Sequence, residues 1–166
     1  ILNGADGVGL FRSEFLYLGR ETAPTEEEQF EQYKAAAVLA KERNVVIRTL
    51  DIGADKKVDY LGIPQEENPA MGLRAIRFCL ENPEIFKTQL RAIYRASAYG
   101  NLSVMYPMIT SFKEILDIKQ IVEMVKKEAG ERMKKLSLVF ERMAYVITKN
   151  TKKTEIGQEK EEKMLV

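Results

Sequence analysis

A chain of 166 residues, 45% apolar and 31% charged, has the material for one ordinary domain with a sizeable core. Its net charge of +1 gives no electrostatic case for nucleic acid or an anionic membrane surface, and no apolar run approaches the roughly 20 residues that span a bilayer. Histidine is absent, which removes Ser-His and Cys-His nucleophiles and imidazole metal sites from this chain's own chemistry. The single cysteine, Cys79, excludes an internal disulfide framework and suits a reducing, cytoplasmic setting. The first residue is Ile1 rather than Met, and no signal peptide opens the chain, so the expectation is a fragment or a processed product.

In chain order, residues 1–6 read as the end of a helix stopped at Gly4. A short apolar strand follows at 8–11 and leads into Arg12-Ser13-Glu14. Thr25 and Glu28 then form a capping-box pattern, with Phe30, Tyr33 and Ala37 behind it on one helical face. A second strand at 45–50 carries Arg48 and runs on to Asp51 and Gly53. The next helix is expected to start near Pro69 and to pass through Leu73, Ile76 and Leu80. Asn82-Pro83 opens another, turning Phe86, Leu90 and Ile93 inward and stopping at Gly100. A third strand lies at 102–108. Ser111, with Glu114 as capping partner, starts a helix whose buried stripe is Ile115, Ile118, Val122 and Val125. Residues 136–140 are a further strand candidate, and 150–166, rich in Lys, Thr and Glu, read as a solvated or disordered tail.

Strands alternating with helices imply right-handed crossovers and a parallel sheet, hence an α/β fold. The continuous apolar runs predict strands buried on both faces. Eight strands are needed to close a (β/α) barrel, and this chain has too few.

In such folds the chemistry sits at the C-terminal ends of the strands. Two successive strands each deliver an arginine there, Arg12 and Arg48. A guanidinium at the mouth of an apolar strand is costly unless paired, and its planar fork suits phosphate or carboxylate. Adjacent strands lie about 5 Å apart, so the two forks converge. On spacing alone, a dianion grip stands level with a structural ion pair to Glu14 and Asp51. Gly53 permits close backbone approach to a ligand, and Lys56 either adds a point charge to the same anion or belongs to a plain turn. Arg74 and Arg77 fall on one face of the expected helix, where solvation is the simpler assignment for Arg77. Cys79, among Ile76, Phe78 and Leu80, reads as a buried small hydrophobe.

At these residues the sequence resembles the phosphoenolpyruvate-utilising barrels, most closely the enzyme I family of the bacterial sugar phosphotransferase system. The resemblance rests on GADGVGLFRSEFLY (4–17), PTEEEQFEQY (24–33), VIRTLDIGADK (46–56), ENPAMGLRAIR (67–77) and QLRAIYRASAYGNLSVMYPMI (89–109), and covers about residues 1–135. It implies an incomplete TIM (β/α)8 barrel over residues 1–140, with 141–166 as a divergent tail. It also implies that Arg12 and Arg48 hold the phosphoryl group of phosphoenolpyruvate, with Lys56 and Arg74 near the same ligand. In that family the phosphoryl group passes to a histidine on a separate domain and then to the carrier protein HPr, for sugar uptake by a cytoplasmic homodimer that uses Mg2+. Departures are present. Ser13 stands where threonine is usual, and Ala54 where a second glycine is usual. After residue 135 the text becomes LSLVFERMAYVITKN, in which Glu141 is the one candidate relic of a magnesium ligand. The family's second acidic ligand, its carboxylate-binding arginine and asparagine and its catalytic cysteine fall later and have no counterpart here, and Cys79 does not match the cysteine motif. The resemblance therefore implies a piece that binds the phosphate side and does not turn over alone. Alternatives are a piece of pyruvate phosphate dikinase or phosphoenolpyruvate synthase, or a truncated, non-enzymatic product.

Overall fold

A computed structural model describes residues 4–56 and 58–129. The helix expected before Gly4, the strand expected at 136–140, Glu141 and the expected tail all lie wholly or mainly outside them.

Three strands, β1 (Gly7–Arg12), β2 (Asn44–Arg48) and β3 (Leu102–Met105), form one parallel sheet in the order β1-β2-β3. Each strand lies beside its predecessor, so right-handed crossovers put the intervening helices on a single face. Those helices are α1 (Glu26–Ala40), α2 (Ala75–Glu81), α3 (Pro83–Ala96) and α4 (Phe112–Ala129). Helix α3 packs against both α1 and α4.

Local signals explain where most helices begin. Thr25 Oγ1 accepts from the Glu28 backbone N–H at 3.2 Å, and the Glu28 carboxylate accepts from the Thr25 N–H at 2.7 Å. Losing such a cap costs about 1 kcal/mol. Pro83 takes the first turn of α3, where its missing N–H has no intrahelical partner to lose. At α4 the Glu114 carboxylate accepts from the N–H groups of Thr110 and Ser111, at 2.7 and 2.8 Å, and the Glu114 N–H donates back to Ser111. The stripes expected on α1, α3 and α4 are buried, and all of them but Ile115 share one core with Val45, Ile47, Leu102 and Val104.

Helix α2 differs from expectation. It starts at Ala75, not near Pro69. Arg74 is extended (φ −154°, ψ 167°), and the Ala75 N–H donates to the Ile52 carbonyl at 3.2 Å rather than to an upstream turn. Both Glu66 carboxylate oxygens accept from the Leu73 N–H at 3.1 Å, and Arg77 ties down the carbonyls of Met71 and Gly72. Tertiary bonds therefore fold 66–74 as a loop, against a helical pattern in its side chains.

The strand register assigns the faces. Val8 and Phe11 of β1 pair with Val45 and Ile47 of β2, which pair with Leu102 and Val104 of β3. Val45, Ile47, Leu102 and Val104 are buried, so this is the helix side. Arg12, Arg48 and Met105 are likewise in register, one step further along, on the opposite side. The described residues leave that side partly open: Leu10 is 40% and Met105 38% exposed. The expectation of strands buried on both faces is thus corrected for β1 and the end of β3. Among the described residues no helix is long and apolar enough to cross a membrane.

Candidate functional site

The strand ends carry the polar chemistry. A register shift between Val8 and Phe11 rephases β1, so that Arg12 stands opposite Arg48 at the C-terminal ends of both strands. The chain then enters a tight 3-10 turn, Ser13–Leu16, which carries Glu14 back beneath the two arginines. Glu14 is fully buried. Its Oε1 accepts from Arg12 Nε at 3.0 Å and from an Arg48 terminal nitrogen at 2.5 Å, and Lys56 Nζ lies 3.5 Å away.

The pairing continues outward. The other terminal nitrogen of Arg48 lies 3.0 Å from Asp51, and the second Asp51 oxygen accepts from Arg74 at 3.0 Å. Arg74 reaches Asp55 at 3.3 Å, and Lys56 Nζ donates to the Asp51 carbonyl at 2.7 Å. The result is an alternating row, Arg12–Glu14–Arg48–Asp51–Arg74–Asp55, with Lys56 beside its middle. Four cations meet three carboxylates, leaving one net positive charge.

Magnitudes explain why Glu14 stays ionised. An unpaired buried carboxylate costs several kcal/mol. Burial pushes the Glu14 carboxyl upward, but its own backbone N–H, the Arg12 hydrogen bond and the charges of Arg48 and Lys56 together hold it below the usual value. Some valences are left over. Glu14 Oε2 and the Nε groups of Arg48 and Arg74 are buried without a hydrogen-bond partner among the described residues. Unused buried donors on two arginines of one cluster are costly unless something else takes them.

The four cations singled out from the sequence, Arg12, Arg48, Lys56 and Arg74, come together here. Of the two assignments considered for the arginines, the ion pairing is present, since Glu14 and Asp51 pair with them. Arg12 is the accessible member, its side chain half exposed over the Phe15 ring at 4.7 Å. Arg74 reaches the site because it precedes α2 instead of lying on it. Gly53 serves that approach: a Cβ there would stand 2.8 Å from the Arg74 Cβ. The simple solvation assigned to Arg77 is corrected, since it holds the loop before α2 through two carbonyls. Cys79 is buried as expected, and burial with the nearby Asp51 charge pushes its thiol up to about 12.

One supporting residue was not anticipated. Gln89, buried on α3, donates from Nε2 to Ser13 Oγ and Tyr33 Oη, both at 3.0 Å, and accepts from the Leu50 N–H at 2.9 Å. It thereby pins the turn after β1 and the segment after β2 to the helix layer. Gln29 extends the network by accepting from Tyr17 and Tyr33, each at 3.2 Å. The available signal was a glutamine within the apolar stripe of Phe86, Leu90 and Ile93.

Among the described residues no group of three or more acidic, cysteine or histidine side chains is gathered to hold a metal ion. Glu14, Asp51 and Asp55 are each engaged by cations. These residues do not fit a magnesium site, and Glu141 lies outside them.

The chain is thus an α/β domain with a parallel sheet and a cationic cluster at its C-terminal strand ends. The family model for the PEP-utilising enzyme, PEP-binding domain matches residues 1–146, and the chain belongs to that family. Among curated relatives it is similar to the phosphoenolpyruvate-protein phosphotransferase of Staphylococcus carnosus, at 56% identity over 123 residues, covering 74% of this chain and 22% of the relative. The proteins of the same name from Bacillus subtilis and Listeria monocytogenes are each 55% identical, over 120 and 122 residues, covering 72% and 74% of this chain and 21% of each relative. The resemblance to enzyme I drawn from the motifs is therefore upheld. The chain spans about a fifth of the length of these relatives.

Proposed function

We propose that this chain supplies the phosphate side of a phosphoenolpyruvate site in a phosphotransferase of the enzyme I type. The observation that carries this is the register of Arg12 with Arg48 at adjacent strand ends, with Arg74 and Lys56 drawn into the same cluster. Three parallel strands in consecutive order, with helices on one face, support reading the domain as an incomplete (β/α)8 barrel.

The chemistry follows from charge. A phosphoryl group offers several anionic oxygens, and the half-exposed Arg12 guanidinium offers complementary N–H groups beside the net positive charge of the cluster. Phosphoryl transfer calls mainly for positioning and charge stabilisation, which fixed guanidinium groups provide without reorganising. The acceptor lies elsewhere, because this chain contains no histidine. In the proposed sequence the phosphoryl group moves to a histidine on another domain and then to HPr, in a cytoplasmic, homodimeric system for sugar uptake. Magnesium belongs to this proposal only through residues other than the described ones, and no step here is routed through it. The chain alone is expected to give no turnover.

The names of the relatives favour this reading over a pyruvate phosphate dikinase or a phosphoenolpyruvate synthase. Calorimetric titration of the 166-residue chain with phosphoenolpyruvate tests it. Saturable binding that is lost in Arg48→Ala is expected. Equal heats for the two proteins would overturn it.

A further inference from the structure

We propose that Glu14 is the positioning residue of this site, setting the Arg12 guanidinium beside that of Arg48; this rests on the phosphoenolpyruvate-binding reading above. The contacts are unequal among the cations that meet at Glu14 Oε1. Arg48 is also held by Asp51 at 3.0 Å, and Lys56 by the Asp51 carbonyl at 2.7 Å. Arg12 has Glu14 at 3.0 Å and, besides it, the ring of Phe15, which is itself 59% exposed. Removing Glu14 leaves Arg48 and Lys56 with a holder and releases Arg12.

Glu14 is built for that task. Its backbone carbonyl accepts from the N–H groups of Tyr17 and Leu18, at 3.0 and 3.3 Å, closing the turn that follows β1. The preceding hydroxyl, on Ser13, is fixed by Gln89 at 3.0 Å. Its side chain is completely buried, and all its cation contacts pass through one oxygen. A surface glutamate making one rim ion pair has none of these features.

Positioning and net charge predict opposite signs. Neutralising Glu14 raises the cluster's net charge by one, so long-range electrostatics alone would tighten anion binding. Replacing the carboxylate by a neutral amide oxygen would weaken the hydrogen bond that orders Arg12 and so weaken binding, because a more mobile guanidinium must be ordered again when the anion binds. The charged hydrogen bond is short range and buried on the Glu14 side, while the added field acts on an exposed, screened ligand, so weakening should win.

The test is a double-mutant cycle on the 166-residue chain, with phosphoenolpyruvate affinity measured for wild type, R12A, E14Q and R12A/E14Q. Glu14→Gln is expected to weaken binding about 10-fold, and to have less than about 3-fold effect once Arg12 is gone. Unchanged or tighter binding in E14Q, or the same loss in both backgrounds, would overturn the proposal. Glu14→Asp keeps the charge and shortens the reach, and should show the same loss; if E14Q does not fold, E14D decides. A ligand-free readout separates this from the underlying reading. The Arg12 Nε–H resonance should be shifted and slow to exchange in wild type; both properties should diminish in E14Q, which keeps only a neutral acceptor, and disappear in E14D, whose side chain is shorter. If that holds while wild type binds no phosphoenolpyruvate, the binding reading fails alone. If the Arg12 resonance ignores Glu14, the positioning role fails, whatever binds.

Discussion

Arg12 and Arg48 stand opposite each other at the ends of two adjacent parallel strands, and both donate to the same oxygen of Glu14. Two like charges share a neighbourhood because a buried carboxylate lies between them. That relationship fixes the spacing on which the proposed phosphate site depends.

In a phosphotransferase carrying this chain as its phosphoenolpyruvate-binding domain, Arg12→Ala and Arg48→Ala should each slow phosphoenolpyruvate-dependent phosphorylation by about 100-fold or more. Arg48→Ala should also destabilise the fold, since it removes from the buried Glu14 its shortest cation contact and from Asp51 one of its two arginines. Arg12→Ala should be close to neutral for stability, because its side chain is half exposed. Steady-state rates and urea unfolding of the two variants check the contrast.

Gln89→Leu should lower stability by about 2–3 kcal/mol, the cost of leaving buried partners unsatisfied. Those partners are Ser13 Oγ, Tyr33 Oη and the Leu50 N–H. Because two of them belong to the segments after β1 and β2, phosphoenolpyruvate affinity should fall as well. Chemical denaturation with parallel calorimetry measures both.

Acid should destabilise the chain partly through Glu14. Its folded carboxyl lies below the ordinary value of 4.5, so the unfolded state takes up its proton first as pH falls. The stabilisation is full above about pH 4.5 and disappears as pH drops through the lower, folded value. In Glu14→Gln this contribution is missing at every pH, so the acid limb of stability against pH should be shallower. Urea midpoints between neutral pH and pH 3 for both proteins test this.

Cys79 should be inert toward disulfide reagents in the folded chain. It is completely buried, and its thiol is pushed up to about 12. A thiol titration should show reaction only on unfolding, whereas rapid modification of native protein would contradict the packing described for α2.

Much of this was legible in the sequence because the signals were local. The capping pairs Thr25–Glu28 and Ser111–Glu114 lie three residues apart, and each helix begins where they indicate. The strands are marked by short apolar runs, and the two arginines by their place at the ends of those runs. Non-local features were hidden. The stretch from Pro69 to Arg74 carries helical spacing, yet Asp51 and Ile52 of a distant segment draw it into a loop. Glu14 and Asp51 were read as possible partners, but the number of cations meeting at Glu14 depends on the register of β1 with β2. The role of Gln89 is not local, because its partners are 39, 56 and 76 positions away.

The most direct measurement is competition for the site. With phosphoenolpyruvate bound to the 166-residue chain, inorganic phosphate should displace it and pyruvate should not, if the cluster of Arg12, Arg48, Arg74 and Lys56 takes the phosphoryl group as proposed. Displacement by pyruvate as effective as that by phosphate, or binding indifferent to both, would contradict a phosphate-side site built on Arg12 and Arg48.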